Sequence, residues 1–326
     1  MEQIERQVDV LASVHDVSGR LTVSLAERQG APAVGPVLTP VVELAGHGWR
    51  RLLVKDETKQ ISGAFKYRGS FHKLRHAAIG RGLVTASTGN HAAGLARVAA
   101  SMQWPLVVFL PDTTPDTKIA NVRRWGATVS IREGGYDACE ADARAYAHAV
   151  GASFVHSFDD EEIIAGHRTL FREVDAVVGL PDTAFVPIGG GGLVSAAIAE
   201  WGRRPVRLVG VEHADAPAMR RSLAAGRRVT LERASGLAEG LLVRTVGRLT
   251  FAVCNDYGLH VETVTDDELR QAMRILYYEA GIRAEAAGAA ALAAALREPD
   301  RRRGVLCVVS GGNVSAGAWS DFTHDS

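Results

Sequence analysis

From about residue 50 onward, short β-branched runs alternate with longer stretches whose apolar residues recur at helical spacing. The runs RLLVKD (51–56), LVTAS (83–87), LVVFLP (106–111), TVSIRE (128–133), SFVHS (153–157), AFVPI (184–188), VRLVGVE (206–212), HVETVT (260–265) and GVLCVVS (304–310) predict nine strands. Between them, 91–103, 117–127, 136–150, 266–280 and 285–298 predict helices. Strand alternating with helix reads as parallel βαβ units, hence an α/β fold of open, doubly wound, mostly parallel sheets with helices on both faces. Nine strands are many for one such sheet, so the pattern predicts two sheets in two domains. No linker-like composition marks the boundary, and no internal repeat recurs at 20–50 residues.

Composition narrows the class without naming it. The 326 residues are 47% hydrophobic and 23% charged, which is ordinary for a globular chain. Thirty-seven basic side chains balance 37 acidic ones, so there is no basic footprint of a nucleic-acid or anionic-membrane binder. Cys139, Cys254 and Cys307 form no CxxC pair, which argues against a disulfide framework or zinc site and for a reducing, cytoplasmic setting. No leader-like N-terminus and no membrane-length apolar run is legible. The one skew is glycine, 34 residues or roughly 10% against a usual ~7%.

Those glycines are grouped where parallel sheets collect ligands, at strand carboxyl ends. Gly189, Gly190, Gly191 and Gly192 lie between the strand AFVPI and the helical stretch LVSAAIAEW, a setting in which bare backbone N–H groups and a helix N-terminus suit a phosphate. No Lys-Ser or Lys-Thr follows, which excludes a nucleoside-triphosphate loop. Gly190-x-Gly192-x-x-Ser195, with Glu212 twenty residues after Gly192, also approximates a dinucleotide fingerprint, so a dinucleotide-binding oxidoreductase is the reading of a different class. An unliganded βα turn is the plainest one.

Three further groups accompany it. Lys66, in SGAFKYRG, stands at a strand-to-helix junction where desolvation would lower its pKa and permit Schiff-base chemistry, although most lysines beside arginine are solvated. Ser87-Thr88-Gly89-Asn90-His91 ends one strand and opens a helix, so it can bind a carboxylate or simply cap the helix. Ser310-Gly311-Gly312-Asn313 leaves the last strand, as a site element or a polar turn. Four such elements together are far more specific than any one of them.

With these motifs the chain resembles the pyridoxal-phosphate enzymes of the tryptophan synthase β-like fold (fold type II), within them the threonine/serine dehydratase and serine racemase group. LTPVVEL, KDETKQISGAFKYRG, STGNHAAGLA, LPDTTPDTKIANVRRWGA, FDDEEIIAGHRTL, VPIGGGGL, VGVE, AEGLLV, EAAGAAALAA and SGGN occur in the family's order over nearly the whole chain. The resemblance implies pyridoxal 5′-phosphate in the cleft between a large domain (1–80 and 158–326) and a small one (81–157). Lys66 then carries the Schiff base, Phe65 lies against the ring and Gly189 to Gly192 hold the phosphate. Asn90 meets the 3′-oxygen, Ser310 faces the pyridine nitrogen and Glu285 orders the loop near the ring. Ser87, Thr88, Gly89, Asn90 and His91 receive the substrate carboxylate. A neutral Ser310 does not favour a protonated ring, so rapid β-elimination or reprotonation is expected after Lys66 removes the Cα proton.

The implied activity is dehydration of a small hydroxy or otherwise β-substituted amino acid such as serine or threonine to a 2-oxo acid and ammonia. β-Replacement or racemisation with the same cofactor is the alternative, and a homodimer is implied. Several residues depart from the family pattern. Thr88 stands where racemases carry a serine acid/base, which favours elimination. Glu239 replaces the usual aspartate and, if it points into the pocket, suits a larger or amine-bearing β-substituent; if not, it is a solvated loop residue. Glu212 is a candidate ligand for a divalent cation that some members bind, but its usual second acid falls on Ala218 with Asp215 out of register. Arg168 stands where a small residue is usual. The sequence ends about a dozen residues after SGGN, and no regulatory domain or end-product feedback is expected.

Overall fold

The computed structural model describes residues 35–45 and 47–323; the N-terminal stretch read above for a leader lies outside them. Ten strands alternate with helices in the described chain: β1 (Val41–Glu43), β2 (Arg51–Asp56), β3 (Leu83–Ala86), β4 (Leu106–Pro111), β5 (Thr128–Arg132), β6 (Ser153–Phe154), β7 (Thr183–Pro187), β8 (Arg207–His213), β9 (His260–Val264) and β10 (Gly304–Val309). They form a six-stranded sheet of order β1-β2-β10-β7-β8-β9 and a four-stranded sheet of order β5-β4-β3-β6. All pairings are parallel except β1 with β2. The α/β class and the two sheets are those the alternation predicts. β1 is the addition: three edge residues, two half-buried and one exposed, are too few to show a period.

Burial on both faces follows from the strand period of two. Along β10, Val305, Cys307 and Val309 enter one core cluster, with Val54, Phe185 and Leu292, while Leu306 and Val308 enter the other, with Phe171, Val186 and Trp201. In β4, Leu106, Val108 and Leu110 face one way and Phe109 the other, against Cys139 and Ala143 of the helix Tyr136–Val150. Among the described residues no helix is long and apolar enough to cross a membrane.

The helix Lys66–His76 is mostly polar yet packs against both Asn90–Ser101 and Glu161–Val178. Its contact with the latter is backbone-close: a Cβ on Gly166 would lie 2.5 Å from Arg68 O and 2.7 Å from Gly69 Cα. A buried ion cluster braces the same helix. Arg68 donates to both carboxylate oxygens of Glu57, at 2.7 and 2.9 Å, and to both of Glu173, at 2.6 and 2.8 Å. Lys55 Nζ donates to Glu173 at 2.7 Å and to Thr39 O at 2.8 Å. Two cations thus meet two carboxylates, and the charge is compensated where water is excluded.

Substituting Arg68→Met leaves Glu57 buried without its cation. The expected loss is about 3–5 kcal/mol of stability, read as a fall in the urea midpoint, with partial recovery in Arg68→Met/Glu57→Gln. A loss below about 1 kcal/mol would contradict the bracing role.

Candidate active site

Backbone pairing carries Lys66 to the end of the last strand. Phe65 N donates to Ser310 O at 3.0 Å, Gly312 N donates to Gly63 O at 3.0 Å, and Ala64 bridges antiparallel to Gly311. Lys66 opens its helix and projects into the cleft, where Nζ donates to Ser157 O at 2.6 Å and stands 5.0 Å from the Phe65 ring centre. Desolvation there pushes the amine down to about 8. Two neutral imidazoles neighbour it. His91 is buried, with Nε2 3.3 Å from Val155 O, and burial pushes it down to about 3. His167, also buried and pushed well below its usual range by burial, packs edge-on against Phe65 at 4.7 Å.

The glycine run turns from β7 into the helix Gly192–Trp201, whose N-cap is Gly191 at φ +97 with no side-chain cap. A Cβ on Gly190 would lie 2.3 Å from the Phe158 ring. Thr250 Oγ1 donates to Gly190 O at 2.6 Å and fixes the turn from behind. The first amides of the helix therefore have no side-chain acceptor, the condition for an anion site.

The helix Asn90–Ser101 opens in a similar way. Its N-cap is Gly89, again without a side-chain cap, and the Ser87 hydroxyl accepts from Gly89 N at 3.3 Å. Capping by Ser87, Thr88 or Asn90 is thus not what the structure builds. Asn90 Nδ2 donates to Glu285 Oε1 at 2.6 Å, and Asn90 Oδ1 accepts from Asn313 Nδ2 at 2.7 Å. Burial pushes Glu285 up to about 7 against the Asn90 hydrogen bond, and the Glu239 charge adds to the rise. Ser310 Oγ lies 3.5 Å from Ala287 O.

One cavity of about 1020 Å³ is lined by Phe65, Lys66, the loop 87–91, all four glycines, Glu239, Glu285 and Ser310. Glu212 is the exception and lies off this cavity. Its carboxylate accepts from Met219 N at 2.6 Å and Arg220 N at 2.9 Å, so it anchors the start of the helix Ala218–Ala225. Among the described residues no group of three His, Cys, Asp or Glu side chains gathers to hold a metal. Arg168 also lies off the cavity, with Nε 3.0 Å from Glu200 Oε2, a carboxylate it shares with Arg172. Lys118 and His167 are site neighbours that pattern reading passes over; only their motif neighbours point to them.

The profile of the family "Pyridoxal-phosphate dependent enzyme" matches residues 34–311. The chain belongs to that family. It is 37% identical over 295 residues to the biosynthetic L-threonine dehydratase of Burkholderia multivorans, covering 85% of this chain and 57% of that one. It is 39% identical over 269 residues to the L-threonine ammonia-lyase of Geobacter sulfurreducens, covering 80% and 66%. This chain thus spans between about half and two-thirds of those relatives. Among solved structures it resembles the processed threonine deaminase isoform 2 of Solanum lycopersicum (TM-score 0.84, 27% identity, 89% and 83% covered). It also resembles maize serine racemase (TM-score 0.82, 30% identity, 88% and 91% covered). The pyridoxal-phosphate family supersedes the dinucleotide-binding oxidoreductase reading.

The residues present fit the family's cofactor. The cradle at Gly190 has no room for a Cβ, two uncapped helix N-termini face one cavity, and a desolvated lysine amine stands in its wall. Gly190→Ala forces the Phe158 ring aside, so we expect the purified variant to lose most of its cofactor absorbance, with recovery in Gly190→Ala/Phe158→Ala. In the cofactor-free protein, amine labelling of Lys66 followed by mass spectrometry should show a midpoint near pH 8; a midpoint near that of an exposed lysine, ~10.4, would contradict desolvation.

Proposed function

We propose that this chain catalyses β-elimination of a small β-hydroxy amino acid, serine or threonine, to a 2-oxo acid and ammonia. The observation that carries the reading is the placing of Lys66, its amine lowered to about 8, at the wall of a cavity onto which both uncapped helix N-termini open. Relatives named L-threonine dehydratase and L-threonine ammonia-lyase support it.

When bound, pyridoxal phosphate supplies an electron sink for the pair left on Cα after deprotonation. Gly189 to Gly192 would hold its phosphate, Phe65 its ring face, Asn90 the 3′-oxygen and Ser310 the ring nitrogen. The Ser87–His91 loop binds the substrate carboxylate through open amides at the start of Asn90–Ser101. Lys66 Nζ, with a pKa near the working range, accepts the Cα proton as general base. Glu285 holds Asn90 in place through the 2.6 Å hydrogen bond. The burial that keeps His91 and His167 neutral keeps further positive charge away from the amine.

Racemisation is the second reading: the likeness to maize serine racemase supports it, whereas Thr88 on the cavity wall, in place of a serine, favours elimination. We also infer a large domain of 1–80 and 158–326, a small domain of 81–157, and a cytoplasmic homodimer. Separate sheets built from segments on either side of that division support the partition.

The holoenzyme should release equimolar ammonia and 2-oxo acid from L-serine or L-threonine, and Lys66→Ala should lower turnover by roughly 10³-fold or more. Accumulation of D-serine without ammonia would instead favour racemisation. Failure with every β-substituted amino acid would remove the elimination reading.

A further inference from the structure

Glu239 begins the turn Glu239–Leu241, and its carboxylate accepts a hydrogen bond from Lys118 Nζ of the helix Asp116–Arg123. The pair spans the cleft. Lys118 comes from the segment that builds the four-stranded sheet, whereas the turn lies against the glycine cradle, with Gly240 O only 2.5 Å from where a Cβ on Gly189 would stand. Both side chains line the cavity. A second cross-cleft pair, Arg244 Nη1 to Asp137 Oδ2 at 3.2 Å, ties the same segment to the helix Tyr136–Val150.

The other carboxylates lining the cavity are also engaged. Glu140 accepts from Arg144 Nε at 2.9 Å and lies 3.5 Å from His156. Asp159 accepts from the backbone amides of Arg248, Leu249 and Thr250. Glu285 accepts from Asn90. Among the described residues every carboxylate lining the cavity therefore already has a hydrogen-bond or ion-pair partner. A substrate ammonium group would have to displace Lys118, or another donor, and gain little in exchange.

We propose that Lys118 is a specificity-determining residue: by occupying Glu239 across the cleft, it selects uncharged, hydroxyl-bearing β-substituents and rejects amine-bearing ones. The longer side chain at 239 would alone suit an amine; the lysine opposite reverses that preference. This rests on the proposed elimination reading for the substrate class, but its electrostatics are testable by binding alone.

The experiment compares L-serine with L-2,3-diaminopropionate on the holoenzyme, at a pH where the side-chain amine is protonated. Two readouts are taken: kcat/KM, and the Kd from the change in the cofactor's visible band. Lys118→Met should raise the diaminopropionate-to-serine ratio by about tenfold in either readout, and Lys118→Met/Glu239→Gln should return it to near the wild-type value. Lys118→Gln replaces the methionine variant should that one not fold. A ratio unchanged in the single variant, or a gain that survives loss of the Glu239 charge, overturns the proposal. If the wild type binds serine without turning it over, the elimination reading fails while the binding ratio still decides the role of Lys118.

Discussion

An arginine two residues after the candidate lysine holds the site in register. Arg68 is a buried residue of the helix Lys66–His76, and its planar guanidinium engages two carboxylates from different elements, Glu57 beyond β2 and Glu173 on Glu161–Val178. Such a fork has one good orientation, so the helix can neither roll nor slide without exposing buried charge to an apolar interior. The close approach at Gly166 removes the remaining freedom. With the backbone pairing of Phe65 to Ser310, the direction of Lys66 Nζ is set from both sides.

Around that amine the protein keeps charge low. His91 and His167 are held neutral by burial, Glu285 is pushed up to about 7, and the group proposed to face the pyridine nitrogen is the hydroxyl of Ser310. The anion of the cofactor would fall to backbone amides and a helix terminus, which need no lysine or arginine. A chain of zero formal net charge can hold a phosphate in this way. Where full charges line the cavity they come mostly in pairs, and two of those pairs join the segments on either side of the cleft. The walls are thus coupled by exposed ion pairs, sensitive to salt, while the floor is fixed by buried ones that are not.

Much of this was legible in the chain. The runs 51–56 and 106–111 are strands to the residue, and the stretches 136–150 and 266–280 are helices to the residue. The glycine cluster, the Ser87–His91 loop, Lys66 and Ser310 were found as motifs, and they line one cavity. β1 was not found, because an edge strand of three residues takes its structure from its antiparallel partner. The spacing of Glu212 from the glycines also suits a ribose, but its neighbours in space are the amides of Met219 and Arg220.

The sequence by itself determined the alternation of elements, the α/β class and the chemical types available at strand ends, because hydrophobic period and glycine conformation are local properties. Only the tertiary structure decided which charge is spent on which partner. Lys66 meets Ser157 across 91 residues, Lys118 meets Glu239 across 121, and Asn90 meets Glu285 across 195. Hydrogen bonds and ion pairs at such separations depend on how two sheets and their helices pack, and no repeat or spacing along the chain encodes them.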